Sequence, residues 1–333
     1  MDKEKQKLLS FVDKFAGKSI AIWGDFILDE YVYGKTRRIS REAPVLILTY
    51  QKKEFSLGGA GNSTLNLKAL GACPLPIGVV GQDESGETII DCLRNLKIPT
   101  KYLLKFKGYP TPIKTRILAG EENTRKQQIL RIDSEFKVPE NHRLKQSLKS
   151  CLKKAQPQCS ALLISDYNYL TVKEDIFNDI ISDYNKVKRP VTLDSRFRLL
   201  GFQGVTAATP NEPEVEDALK MEIGEKIPRL KRVGNHLLKK LRSPALLITR
   251  GSRGMALFEK GKPLFLIPVH GTTDIVDVTG AGDTVISVFT LALACGASFR
   301  EAALLANYAG GIVVMKKGTA TLMVEELKEA ISC

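Results

Sequence analysis

The chain has 333 residues, 43% of them hydrophobic and 26% charged, a composition that excludes a disordered or fibrous protein and allows a full core without disulfides or metals. Lys and Arg total 50 against 37 Asp and Glu, a formal net charge of +13. The basic residues are scattered and form no track interleaved with aromatics, so a nucleic-acid partner is not expected, whereas phosphate-bearing ligands are compatible with the charge. No apolar run reaches the roughly 18 residues of a membrane span; the longest, 285–297, contains Ser287, Thr290 and Gly296.

Residues 1–15 interleave Lys and Glu with Leu and Phe, which reads as an amphipathic helix rather than a signal peptide and gives a cytoplasmic expectation. Short apolar runs then alternate with helical periodicity: strand 19–23, helix 62–70, strand 77–80, helix 86–96, strand 161–164, helix 173–184, strand 191–193, strand 245–249, and long helices 282–295 and 299–315. Ser298 and Glu301 form a capping box for the last of these. Such alternation implies an α/β fold, a mostly parallel central sheet with helices on both faces. Segments 31–50 and 113–133 break the pattern, with polar residues alternating as in Ile113-Lys114-Thr115-Arg116-Ile117. They are too polar for a buried parallel sheet and read as a small antiparallel β lid, from about 30–56 and 108–133, on a single domain spanning 1–333.

Cys73, Cys92, Cys151, Cys159, Cys295 and Cys333 show no C-x-x-C pairing and read as reduced, buried thiols. His142, His236 and His270 are far apart, which excludes a zinc hydrolase and a His-dependent triad.

The sharpest motif is Asp277-Val278-Thr279-Gly280-Ala281-Gly282-Asp283, running straight into an apolar helix. Small residues let backbone N–H groups approach a ligand, and a helix N-terminus adds unpaired donors, so this is an anion site. Asp283 stands where it can take a proton from a hydroxyl attacking a bound phosphate; its bland alternative is a helix N-cap. Leu57-Gly58-Gly59-Ala60-Gly61-Asn62 opens another helix, a flat loop for a polyol. Gly24-Asp25 through Leu28-Asp29 follows the first strand at its carboxyl end, where α/β sheets bind ligands. The stretch from Gly81 to Thr88 has P-loop spacing, but Glu87 replaces the lysine beside Asp83 and Glu84, so it reads as a structural turn.

Together, Gly58-Gly59-Ala60-Gly61-Asn62 and Asp277 to Asp283 resemble the paired signatures of the ribokinase-like (PfkB) carbohydrate kinases, over residues 19–327. Tyr31-Val32-Tyr33-Gly34, Arg38-Ile39-Ser40-Arg41-Glu42-Ala43-Pro44-Val45, Lys114-Thr115-Arg116, Gln127 to Asp133 and Gly318-Thr319-Ala320-Thr321 are similar to the heptose 7-phosphate kinases of lipopolysaccharide precursor synthesis. The resemblance implies a ribokinase-like fold and an ATP-dependent transfer to the anomeric hydroxyl of D-glycero-D-manno-heptose 7-phosphate. Asp283 would be the base and Gly280, Ala281 and Gly282 the anion hole. Asp29, Gly58, Gly59 and Asn62 would hold the sugar. Asn211 and Glu214, from Asn-x-x-Glu, would order magnesium and the nucleotide phosphates. Thr249, Gly251, Gly254 and Asn307 would line the nucleotide, and Asp277 and Thr279 a potassium ion. Lid pairing would give a homodimer. Arg38 and Arg116 are the preferred partners for the phosphate already on the sugar, ahead of Arg41, Lys114 and Arg131.

Two departures stand out: Ser165-Asp166-Tyr167 continues as Asn168-Tyr169 where heptose kinases carry Lys-Gly, and Asp194-Ser195-Arg196 stands for Asp-Pro-Lys. Many relatives carry a nucleotidyltransferase after the kinase; with no histidine after His270, the expectation is kinase activity alone. The alternatives are a kinase for ribose, fructose or a nucleoside, and a catalytically silent sugar sensor.

Overall fold

The computed structural model describes residues 2–120, 126–271 and 276–333, so positions 121–125 of the expected lid lie outside the described residues. Strands β1 (Ser19–Gly24), β2 (Phe26–Ile39), β3 (Leu46–Gly59), β4 (Cys73–Gly81), β5 (Tyr102–Phe106), β6 (Ile113–Gly120) and β7 (Gln127–Ser134) form the first half with helices α1 (Lys3–Val12), α2 (Ala60–Ala69) and α3 (Glu84–Asn95). The second half alternates α4 (His142–Ala155), β8 (Ala161–Asp166), α5 (Glu174–Lys186), β9 (Val191–Ser195), β10 (Ala207–Ala208), α6 (Glu212–Leu219), α7 (Ile227–Leu241), β11 (Ala245–Thr249), β12 (Met255–Glu259) and β13 (Phe265–Ile267). Three helices close the chain, α8 (Ala281–Ala294), α9 (Phe299–Val313) and α10 (Val324–Ser332).

The main sheet runs β13-β12-β11-β10-β9-β8-β1-β4-β5. Its pairs are parallel from β5 to β11, and β12 and β13 form an antiparallel edge. Because strand side chains alternate, β1 sends Ile20 and Ile22 into one core with α2, α8 and α9, and Ala21 and Trp23 into a second with α4, α5 and α7. Burial on both faces explains why these strands read as continuous apolar runs.

The lid is a second sheet, ordered β3-β2-β6-β7. Its outer pairs are antiparallel as expected, but the central β2·β6 pair is parallel. The reason is topological: β2 and β6 follow β1 and β5, parallel strands of the main sheet, so both start from the same, carboxyl end of its strands. Across the lid, Asp29 is opposite Lys114 and Asp133, and Tyr31 is opposite Arg116 and Arg131. Two steps along a strand returns to the same face, so these six polar side chains share one face of the lid.

Only Cys151 and Cys159 are buried; Cys73 and Cys333 are exposed, correcting the expectation of six buried thiols, although all six are free. The rejected P-loop is a structural turn. Asp83 caps α3 through Gly86 N–H at 2.8 Å and accepts from Thr111 N–H and Oγ1, each at 2.7 Å.

Candidate active site

The carboxyl ends of β1, β8 and β9 and the N-terminus of α8 meet under the lid. Asp283, in the first turn of α8, is 3% exposed. It caps no helix N–H; Asn62 Nδ2 donates to Oδ2 at 2.9 Å and the Tyr167 hydroxyl to Oδ1 at 3.1 Å. Burial pushes its pKa up to about 7, with the Asp194 charge adding to the rise and the Asn62 and Tyr167 hydrogen bonds and the Arg196 cation opposing it. A carboxylate poised there is suited to accepting a hydroxyl proton near neutrality. Behind it, Asn66 Nδ2 donates to Asn62 Oδ1 at 3.2 Å and Leu322 N–H to Asn66 Oδ1 at 3.1 Å. The carboxylate is therefore fixed from two sides.

Tyr167 is held by a loop rather than by a strand. The N–H groups of Tyr167 and Tyr169 donate to Asp25 Oδ2 at 2.9 and 3.0 Å, and that of Thr171 to Oδ1 at 3.1 Å. The intervening Asn168 and Leu170 take φ of 68° and 66°, the left-handed geometry that turns successive N–H groups toward one anion. The segment Asn168-Tyr169, which departs from the heptose-kinase pattern, is thus used to fold a nest around Asp25.

Gly280 has φ 77°, and a Cβ there would sit 2.4 Å from Asn62 Nδ2. One member of the expected anion hole is already bonded within the loop. Ala281 N–H already donates to the Val278 carbonyl at 3.2 Å, whereas the N–H groups of Gly280, Gly282 and Asp283 find no backbone acceptor among the described residues. Asp283 therefore contributes a donor as well as a carboxylate. Gly280→Ala is expected to displace Asn62 and loosen Asp283, lowering kcat by about 10²-fold, the scale of losing one preorganised donor, with sugar KM little changed in steady-state kinetics.

Under the lid, a cavity of about 310 Å³ is lined by Asp29, Gly58, Gly59, Lys114, Arg116 and Arg131, and reaches Asp283. Arg116 Nη1 pairs with Asp29 Oδ1 at 2.6 Å, both nearly buried. Burial raises the Asp29 pKa, and Arg116 and Lys114 act to lower it. Gly58 is required because a Cβ would meet Asp29 Oδ2 at 2.6 Å. Two sequence expectations are not met. Asn62 is 1% exposed, with its amide committed to Asp283 and Asn66, so it sits behind the base rather than on the cavity wall. Arg38 is exposed, opposite Ile47 near the outer end of β2, and Arg41 lies beyond it; neither lines the cavity.

A neighbouring, mostly apolar cavity of about 550 Å³ brings together Asn211, Thr249, Gly251, Gly254 and Asn307. Asn211 and Glu214 form the capping box of α6, Asn211 Oδ1 accepting from Glu214 N–H and Glu214 Oε2 from Asn211 N–H, both at 2.9 Å. The capping role and a ligand role coexist, because Glu214 also lines the 310 Å³ cavity. Asn307 Nδ2 donates to the Pro268 carbonyl at 2.9 Å, which fixes one cavity wall.

The residues fit a hard divalent cation. Asp194 lies beside Glu214 and is pushed up to about 8 by burial and by that neighbour's charge, and the buried Thr209 Oγ1 in the same cavity has no partner among the described residues. No three His, Cys, Asp or Glu converge among the described residues, so two carboxylates would share the ion with waters and phosphate oxygens, as magnesium prefers. Asp277 accepts from Thr279 and Gly318 N–H, each at 2.9 Å. Burial opposes its ionisation, but these donors hold its pKa below the usual range. It ties the loop before α8 to the segment that carries Thr319.

Sequence reading missed Tyr167, Asp194 and Thr209 and left Arg196 without a place. The one usable signal was position: each follows or ends a predicted strand or short apolar run at its carboxyl side, where such sheets bind ligands.

The model of the pfkB family carbohydrate kinases matches residues 18–326. The chain belongs to that family. It is 37% identical to the bifunctional protein HldE of Desulfatibacillum aliphaticivorans over 98% of this chain and 65% of the relative. Its identity to the HldE of Geobacter metallireducens is 36%, over 91% of this chain and 61% of that one. The chain thus spans somewhat less than two thirds of these relatives. Among solved structures, Arabidopsis thaliana ribokinase complexed with ribose and ATP superposes with a TM-score of 0.71 at 18% identity, covering 96% of this chain and 99% of that one. Escherichia coli phosphofructokinase-2 in complex with potassium gives 0.72 at 16% identity, covering 95% and 98%. The chain is a carbohydrate kinase of the pfkB family with a ribokinase-like fold.

Proposed function

We propose that this kinase phosphorylates the anomeric hydroxyl of D-glycero-D-manno-heptose 7-phosphate, giving the 1,7-bisphosphate for ADP-heptose and lipopolysaccharide precursor synthesis in the cytoplasm. The observation that carries this reading is the cationic wall of the sugar cavity. Lys114, Arg116 and Arg131 share one face of the lid with two carboxylates, Asp29 and Asp133, and the excess of positive charge is suited to a phosphate already on the substrate. The relatives named HldE support the same substrate.

In this mechanism Asp29 accepts sugar hydroxyls while the lid cations hold the 7-phosphate. Asp283 takes the proton of the attacking hydroxyl as its oxygen bonds to the γ-phosphorus and the bond to the β-phosphate oxygen breaks, leaving ADP. The N–H groups of Gly280, Gly282 and Asp283 face the transferring group. Magnesium, held by Glu214 and Asp194, would neutralise the phosphates, and potassium would bind at Asp277 and Thr279. The lid face opposite the cavity exposes Phe55, Leu130 and Ile132, an apolar surface suited to a second copy and hence a homodimer.

ADP release, followed with magnesium and potassium present, tests the substrate class. The expected kcat/KM for heptose 7-phosphate exceeds that for the unphosphorylated heptose, ribose and fructose by about 10²-fold or more, the worth of two charge-assisted bonds. Equal turnover of a free sugar would discard the phosphate-binding role of the lid.

A further inference from the structure

Phosphoryl transfer spreads negative charge over three equatorial oxygens, and catalysis lies in neutralising it in place. The N–H groups before α8 meet that charge from one side only. The arginines around the cleft are mostly committed: Arg116 to Asp29, Arg131 to Asp133, Arg198 to Asp166, Arg250 to Glu212. Arg196 is different. Its side chain makes no ion pair or hydrogen bond with another described residue, although the negative charges of Asp194, Asp283 and Glu214 act on it. Its backbone N–H is tied to the Asp166 carbonyl at 3.1 Å, and its guanidinium lies 4.5 Å from the centroid of the Tyr167 ring, whose hydroxyl holds Asp283.

The position is as telling as the missing partner. Arg196 lines the cavity that holds Asp29 and Asp283, and also the groove beside Asn211, Pro213 and Glu214. Lys114, the other cavity cation without a carboxylate partner among the described residues, is in register with Asp29, and its Nζ lies 5.5 Å from the centroid of the same Tyr167 ring. Of the two, Arg196 alone also lines the groove beside Asn211 and Glu214. Building on the kinase reading above, we propose that Arg196 is a catalytic residue whose guanidinium binds the γ-phosphoryl oxygens during transfer, opposite the glycine-loop N–H groups. Tyr167 is its platform, stacking the plane and aiming the fork; a lysine would keep the charge but lose the bidentate geometry.

The test compares wild type with Arg196→Gln and Arg196→Lys. Arg196→Gln is expected to lower kcat by about 10²- to 10³-fold, with the KM for sugar and the Kd for ADP within about threefold of wild type and Arg196→Lys in between. Magnesium, ADP and aluminium fluoride mimic the group in flight, and the gain in ADP affinity on adding fluoride is expected in wild type and lost in Arg196→Gln. An unchanged kcat with the fluoride gain retained would overturn the proposal. So would a raised sugar KM at unchanged kcat, which would assign Arg196 to the phosphate already on the substrate. The fluoride comparison does not depend on the acceptor sugar. A wild type active on another sugar would therefore contradict the heptose assignment alone, and the Arg196 result would still stand or fall separately.

Discussion

Asp283→Asn is expected to lower turnover by about 10²- to 10⁴-fold with ADP still bound, and to make the ligand-free chain more stable. The second expectation follows from linkage. In the unfolded chain this carboxyl ionises at its ordinary 3.8, in the folded chain at about 7. Between those values the folded state holds a proton that the unfolded state has lost, so stability from this group falls as the pH rises and stays low above about 7. Asparagine never ionises, and the Tyr167 hydroxyl can turn to accept from its amide. The gain should reach roughly 1–3 kcal/mol above neutrality and vanish near pH 4. Thermal melts of both proteins across that range check it; a variant that melts below wild type at pH 8, or keeps near-normal turnover, contradicts the assignment of Asp283 as a buried base. For the same reason wild-type turnover should fall as the pH drops below about 7.

Arg116→Met should cost both stability and substrate affinity, and a second substitution should separate the two. Removing one partner of a buried pair leaves the other charge stranded, at about 3–5 kcal/mol, and Asp29 is 3% exposed. Adding Asp29→Asn removes the stranded charge, so the double variant should recover most of the melting temperature. The lost hold on the substrate phosphate should remain, raising its KM by about 10²-fold in the single variant. Because Asp29 itself accepts sugar hydroxyls, the readout is selectivity: Arg116→Met should raise the KM for heptose 7-phosphate and leave that for unphosphorylated heptose little changed, and an equal rise for both would mean that Arg116 acts through Asp29 and not through phosphate.

The parts of the site that the sequence displays are those built from neighbours in the chain. Gly58 to Asn62 and Gly280 to Asp283 each combine a tight turn with a helix start, and spacing alone reveals them. Tyr167, Asp194 and Arg196 come from the ends of β8 and β9, which reach Asp283 only through the order of strands in the sheet. Arg38 does not line the cavity for a geometric reason: it stands nine residues beyond Asp29 on one strand, about 30 Å at 3.3 Å per residue. Arg116 does line the cavity, because β6 places it opposite Tyr31, two residues from Asp29 on the same face. Asn62 was read as a sugar ligand because its amide can donate and accept; burial assigned both functions to neighbours instead. The parallel pairing of β2 with β6 was hidden as well, since alternation in a polar strand reports a solvated face and not a direction.

The most direct test of the central claim is the ³¹P NMR spectrum of the product formed from ATP and heptose 7-phosphate. The expected product carries two phosphate esters, the original one on carbon 7 and a new one coupled to the anomeric proton. A product phosphorylated at any other carbon, or no incorporation into this sugar while ribose or fructose is phosphorylated, would contradict it.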